Sequence, residues 1–153
     1  MADSRSSQPN FVLRPATDDD RDALYKIHRA AMYEVVKQTW GWDEDFQVAL
    51  WDRDWDASEF RIVVVDGKVV GSMTVVQRPH EVRLSGFELN PEFQGRGIGS
   101  ELIVGLQKEA VERGVPLALG VLLVNTRARA LYERHGFKEY DRSEIKAEMR
   151  WEP

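Results

Sequence analysis

The sequence predicts a single mixed α/β domain, a layered sheet flanked by helices in which helical crossovers force some parallel strand pairing. Three observations carry this. Apolar stripes at three- and four-residue steps, Leu24-Ile27-Ala31-Val35 and Ile98-Leu102-Leu106-Ala110, alternate with β-branched runs such as Ile62 to Val65 and Val69 to Val76. A length of 153 residues is enough for one core without staples. Hydrophobic residues at 42% and charged residues at 31% describe a globular chain, and no apolar run approaches the roughly 18 residues of a membrane span.

Taken in order, residues 1–10 are rich in Ser, Gln and Pro and carry no apolar leader, so they read as a disordered tail of a cytoplasmic protein, with the domain at 11–153. Phe11 to Arg14 is a short strand closed by Pro15. Thr17 opens a first helix running to about Lys37, with acids in its first turn where the helix dipole favours them. His28 lies beside the buried face of that helix and reads as a boundary histidine with satisfied hydrogen bonds rather than a catalytic one. A second helix is expected from about Asp43 to Arg53. Trp40, Trp42, Trp51 and Trp55 crowd this region, as a satellite core, an interface or a pocket wall. The acids nearby, from Asp43 to Glu59, are either a solvated face or a field attracting a cationic ligand.

From Phe60 the period becomes that of strands. Asp66-Gly67 is a hairpin signal between Ile62–Val65 and Val69–Val76. A third strand follows over Val82 to Leu89, and its apolar positions shift from even (Val82, Leu84) to odd (Phe87, Leu89). One inserted residue at Ser85-Gly86 restores the same side-chain face on both sides, so a β-bulge is predicted there. That parity puts Arg83 and Glu88 together on the opposite face. After Asn90-Pro91 comes Gln94-Gly95-Arg96-Gly97-Ile98-Gly99-Ser100 and then the helix of the second stripe, stopped at Gly114-Val115-Pro116. Leu117 to Val124 is nearly all apolar, as in a strand covered on both faces. Asn125 caps a short helix ended at Gly136, and Phe137–Tyr140 and Glu144–Trp151 are the closing strands.

Composition excludes several chemistries. There is no cysteine, hence no disulfide, thiolate metal site or cysteine nucleophile. The histidines at 28, 80 and 135 have no zinc spacing, so no metal is expected. A net charge of -5 argues against an extended nucleic-acid surface. The glycine-rich turn from 94 to 100 is the strongest chemical signal. Glycines let backbone N–H groups reach an anion at a helix N-terminus, which suits phosphate. The spacing is neither G-x-G-x-x-G nor a Gly-Lys-Ser/Thr loop, so dinucleotide and triphosphate readings do not fit.

Two segments then make the chain resemble the GNAT superfamily of N-acetyltransferases. Phe87 to Gly99 is similar to the family's acetyl-CoA signature Q/R-x-x-G-x-G/A, and Asn125-x-x-Ala128-x-x-Leu131-Tyr132-Glu133-x-x-Gly136-Phe137 is similar to its second cofactor segment. The order of elements from Phe11 also agrees. The resemblance implies a mostly antiparallel twisted sheet with a splayed central strand pair, and acetyl-CoA as donor co-substrate. It implies backbone amides of Gly95, Arg96, Gly97, Ile98, Gly99 and Ser100 around the pyrophosphate, flanked by the Gln94 and Arg96 side chains. The pantetheine arm would pair near Leu89 and touch Asn125. Tyr132 matches the tyrosine that protonates the leaving thiolate, and Glu88 is the first choice of general base, ahead of Glu34 or a water chain. Tyr33, Trp40 and Trp42 would line the acceptor site, which aromatic walls and acids suit to a small cationic or amphipathic amine. The alternatives are a protein-acetylating enzyme, acting on an N-terminus or lysine, and an acyl-CoA sensor without catalysis. The tryptophan segment would also serve a homodimer. Neither a membrane nor nucleic acid is expected as a partner.

Overall fold

A computed structural model describes residues 10–153, so the tail expected at the N-terminus lies, except for Asn10, outside the described residues. Seven strands form one sheet in the order β1-β2-β3-β4-β5-β7-β6. They are β1 (Val12–Pro15), β2 (Phe60–Val65), β3 (Lys68–Gln77), β4 (Val82–Leu89), β5 (Leu117–Leu122), β6 (Lys138–Arg142) and β7 (Lys146–Trp151). The helices are α1 (Arg21–Trp40), α2 (Glu44–Asp54), α3 (Ile98–Arg113) and α4 (Thr126–Arg134). Five of the six strand pairings are antiparallel; β4 and β5, joined through α3, are parallel as a helical crossover requires.

Boundaries move where capping decides them. Thr17 caps a 3-10 turn, Asp18–Asp20, its N–H donating to Asp20 Oδ2 at 2.9 Å, and α1 follows from Arg21 and runs past Lys37 to Trp40. Asp43 does not begin α2 but caps it, accepting from the Phe46 N–H at 3.1 Å. On α1 the fully buried residues are Leu24, Ile27 and Val36, with Ala31 and Val35 half-buried, because the helix continues a turn beyond the expected end and its contact line drifts.

The sheet separates two cores. On one face Val63, Met73, Val75, Leu84 and Leu89 pack with Ile103 and Leu106 of α3 and with Tyr132 and Phe137. On the other, Leu24, Ile27 and Ile62 form a smaller cluster closed by Trp51, Trp55 and Phe60, with Trp55 and Phe60 ring centroids 4.7 Å apart. Leu117, Ala118 and Leu119 of β5 are fully buried, but beyond them cover changes character. A side chain on Gly120 would collide with Lys146 and Glu148 of β7, so polar side chains lie across that end of the strand.

Candidate active site

The site begins with the bulge in β4. Across the β3–β4 pair, Gly86 faces Thr74 and Leu84 faces Val75, so Ser85 is the inserted residue. Val82, Leu84, Phe87 and Leu89 are thereby opposite Gln77, Val75, Met73 and Gly71, all on one face, while Arg83 and Glu88 are opposite Val76 and Ser72 on the other. The two charged residues share a face but not a bond. Arg83 Nη2 donates to Glu148 Oε1 at 2.8 Å, whereas Glu88 Oε2 lies 2.8 Å from His28 Nδ1 on α1. His28 is thus a half-buried histidine whose hydrogen bond is satisfied, as expected, and Glu88 is its partner.

Past the bulge β4 leaves its parallel neighbour. Pairing with β5 comprises Val82–Leu117, Arg83–Ala118 and Leu84–Leu119 and then stops, although β4 continues to Leu89 and β5 to Leu122. This leaves a notch along the β5-facing backbone of residues 85–89. Glu88 stands on β4 at this notch. Tyr132 comes from α4, packed between Phe87 at 6.5 Å and Phe137 at 5.7 Å between ring centroids. Burial raises the pKa of the Tyr132 phenol, and the nearby Glu88 carboxylate raises it further, so the hydroxyl keeps its proton.

Below the notch, Asn90 caps a short turn, Pro91–Phe93, and the chain enters the glycine segment. Gly95 and Gly97 have φ of 75° and 85°, a left-handed backbone that leaves amides pointing outward ahead of α3. Gln94 Nε2 donates to the Leu89 carbonyl at 3.0 Å, fastening the turn to the end of β4. Arg96 spreads over the Phe93 ring at 4.8 Å. Ser100 Oγ lies 3.0 Å from His135 Nε2, at the end of α4. Asn125 Oδ1 caps α4 through the Ala128 N–H at 3.3 Å.

One cradle residue escaped the sequence reading. A methyl group on Gly95 would sit 3.3 Å from Arg127 Nη2, so this exposed guanidinium hangs over the glycine turn. Its only sequence signal was its place two residues after Asn125. The open amides, the arginines at 96 and 127 and the free edge of β4 together fit an extended ligand carrying phosphates.

On the α1–α2 side, Glu44 draws Tyr25, Arg29 and Trp42 together. It accepts from the Tyr25 hydroxyl, from Arg29 Nε at 2.7 Å and from Trp42 Nε1 at 3.0 Å. Three donors hold its pKa down at about 2. Tyr33 packs against Trp42 at a tilt of 44° with centroids 5.2 Å apart, and the Arg29 guanidinium covers both rings at 5.2 and 5.7 Å. Trp40, in contrast, ends α1 with 62% of its surface exposed and takes no part in this packing. Glu34 is exposed on α1. Many of the surrounding acids are engaged locally: Asp43 and Asp56 cap turns, Asp18 accepts from Trp55 Nε1, and Asp54 pairs with Arg53.

A splayed strand pair ending in an amide cradle, with a carboxylate and a buried phenol at the notch, describes a transferase that holds a long phosphorylated donor. A family model described as the Acetyltransferase (GNAT) family matches residues 21–137, and the chain belongs to that family, whose acetyl donor is acetyl-CoA. Its fold is similar to that of the PaiA N-acetyltransferase from Thermoplasma acidophilum in complex with coenzyme A. That likeness has a TM-score of 0.79 at 16% identity and covers 95% of this chain and 100% of the other. It is also similar to the ribosomal-protein-S18-alanine N-acetyltransferase from Escherichia coli, with a TM-score of 0.68 at 22% identity and 94% coverage of both chains. An N-acetyltransferase from Staphylococcus aureus Mu50 aligns with a TM-score of 0.72 at 15% identity, covering 92% of this chain and 100% of that one. Among the described residues no helix is long and apolar enough to cross a membrane.

Proposed function

We propose that the protein moves an acetyl group directly from acetyl-CoA to a primary amine, with Glu88 as general base and Tyr132 as general acid. The observation that carries this reading is the divergence of β4 from β5, with Glu88 on β4 at the opening and Tyr132 packed against Phe87 of the same stretch of strand. The donor would lie with its pyrophosphate on the amides of residues 95–100 and beside Arg96 and Arg127, and its extended arm along the free edge of β4 near Leu89 and Asn125.

The acceptor enters as an ammonium and gives one proton to Glu88. Its lone pair then forms the C–N bond at the thioester carbon, and a backbone N–H of β4 stabilises the oxyanion. When the C–S bond breaks, Tyr132 hands its proton to the thiolate sulfur and recovers one from the amine nitrogen, so one proton leaves through Glu88. A thiolate whose conjugate acid has a pKa near 8.5 leaves far better when protonated.

Tyr33 and Trp42 are the acceptor wall in this reading, and Trp40 stands at its rim. Because Arg29 already covers both rings and already pairs with Glu44, the wall suits an amphipathic amine, one ammonium on an apolar body, better than a polycation. The test is CoA release against a panel of arylalkylamines, polyamines and peptides bearing a free N-terminus or lysine. Turnover is expected with the arylalkylamines. Turnover confined to peptides would make the enzyme protein-acetylating, and thermal stabilisation by CoA with no release for any amine would make it a sensor.

A further inference from the structure

The pairing of His28 with Glu88 joins residues 60 positions apart, one on α1 and one on the notch strand. Both side chains are largely shielded, 18% and 13% exposed. The imidazole is held on several sides. It stacks on Trp51 at 5.0 Å with 30° between the planes, and Tyr25 and Trp42 flank it with centroids at 6.1 and 6.4 Å. Gln47 of α2 is a further polar neighbour of the ring. A ring so fixed has little rotational freedom, and its Nδ1 presents one defined direction to the carboxylate.

We propose that His28 is the positioning residue of the base: its Nδ1–H clamps Glu88 Oε2, so that Oε1 is left aimed at the acceptor ammonium in the notch. The inference rests on the transfer reading above and adds to it a residue on a different element. Glu88 alone, on a bulged strand, would be free to rotate about its side-chain torsions and would bond to water or Ser72 as readily as to substrate. With the clamp in place the carboxylate is oriented before the amine arrives, which is what general-base catalysis needs from geometry.

The clamp also makes the base depend on pH. Burial disfavours the imidazolium, but the hydrogen bond and charge of Glu88, with the Gln47 contact, outweigh it and raise the His28 pKa above its ordinary value. The other titratable group shown against the ring is Tyr25 of α1, whose hydroxyl is engaged with Glu44 of α2, itself paired with Arg29. While His28 is an imidazolium, it is bound to Glu88 as an ion pair and its positive charge opposes the arrival of a proton on the carboxylate. As pH rises the ring loses its Nε2 proton, keeps Nδ1–H on Glu88, and that opposing charge is gone. Turnover therefore rises with pH through the His28 ionisation.

The experiment has two arms. In the first, the His28 ring is titrated by NMR in the wild type and in Glu88→Gln; the expected result is a pKa above the ordinary imidazole value of about 6.5 that falls in the variant. In the second, pH–rate profiles are compared for wild type, His28→Asn and His28→Phe with one acceptor. His28→Asn retains an N–H donor near the Nδ1 position and should keep turnover within about tenfold while losing the His28 part of the acid limb. His28→Phe, which fills the space but cannot donate, should lose about a hundredfold in kcat with the KM for acetyl-CoA unchanged. Equal kcat in His28→Phe and wild type, or an acid limb unmoved in His28→Asn, would overturn the positioning role while leaving the transfer reading intact. Failure of the wild type to release CoA with any amine would sink both, whatever the NMR arm gives.

Discussion

A phenol is useful as an acid only while it holds its proton, and Tyr132 is placed so that it does. Burial and the Glu88 charge both push its ionisation upward, so Tyr132 itself contributes no titration to the rate below about pH 10. Tyr132→Phe keeps the ring contacts with Phe87 and Phe137 and removes only the hydroxyl. It should lower kcat by at least about a hundredfold and leave the acetyl-CoA Kd nearly unchanged, measured by single-turnover kinetics beside calorimetric binding. In the proposed donor pose Arg127 would meet the phosphate end. Arg127→Gln should weaken CoA about fivefold, close to 1 kcal/mol for one exposed charge-assisted contact, and the difference should shrink as salt rises. An unchanged Kd at low salt would remove Arg127 from the cradle. Both residues sit on a helix whose motif was visible in the sequence, yet only Tyr132 was named. A phenol at that spacing points to chemistry, whereas an arginine there reads as a helix surface until the fold brings Gly95 beneath it.

The bulged strand and its neighbour set the site at the level of elements. Parity alone located the insertion at Ser85-Gly86, because a sheet with one buried face does not tolerate a register slip. Parity also placed Arg83 and Glu88 on one face, but it could not say that Glu148 and His28 would take them as partners. Those contacts depend on how β7 and α1 lie across the sheet. The close approach of β3 to β4 offers a direct check. A methyl group on Gly71 would stand 2.4 Å from the Glu88 carbonyl oxygen and 2.6 Å from Leu89 Cδ2, so the backbones must part to admit it. Gly71→Ala should cost about 1–3 kcal/mol by overpacking, a fall in Tm of roughly 2–4 °C per kcal/mol. It should also reduce turnover, since Glu88 moves with its own carbonyl. Unaltered melting and turnover would show that β4 has slack at this point. The tryptophan segment divides in the same way: Trp51 and Trp55 go to a satellite core, Trp42 to the ring pair with Tyr33 and Trp40 to solvent. Composition gave all four the same standing, and only the rotation of α2 against α1 separates them.

For the molecule as a whole, carboxylates paired with arginines govern acid tolerance. Asp20 is lowered by its bond to Arg14, Glu44 sits at about 2 through Tyr25, Arg29 and Trp42, and Glu139 sits at about 2 through Arg142 and Arg129. Their folded pKa values lie below the unfolded ones. The stability they contribute is present above about pH 4.5, the unfolded carboxylate range, and is lost as pH falls toward 2. Tm measured between pH 6 and pH 2.5 should therefore decline mainly below about pH 4.5, and more gently in high salt because these pairs are exposed. A flat profile over that interval would mean that the pairs do not distinguish folded from unfolded chain.

The sequence by itself determined the element order, the bulge and the glycine turn, because each is written in local chemistry, in side-chain period and glycine conformation, while Glu88 and Tyr132 entered as candidates, Tyr132 through a family resemblance. Tertiary structure alone decided where β4 and β5 part, after Leu84 and Leu119, that Arg127 overhangs Gly95, and that a histidine on the first helix meets the carboxylate of the fourth strand. These depend on the angles at which elements cross the sheet, and crossing angles arise from the packing of many side chains at once rather than from any short stretch of chain.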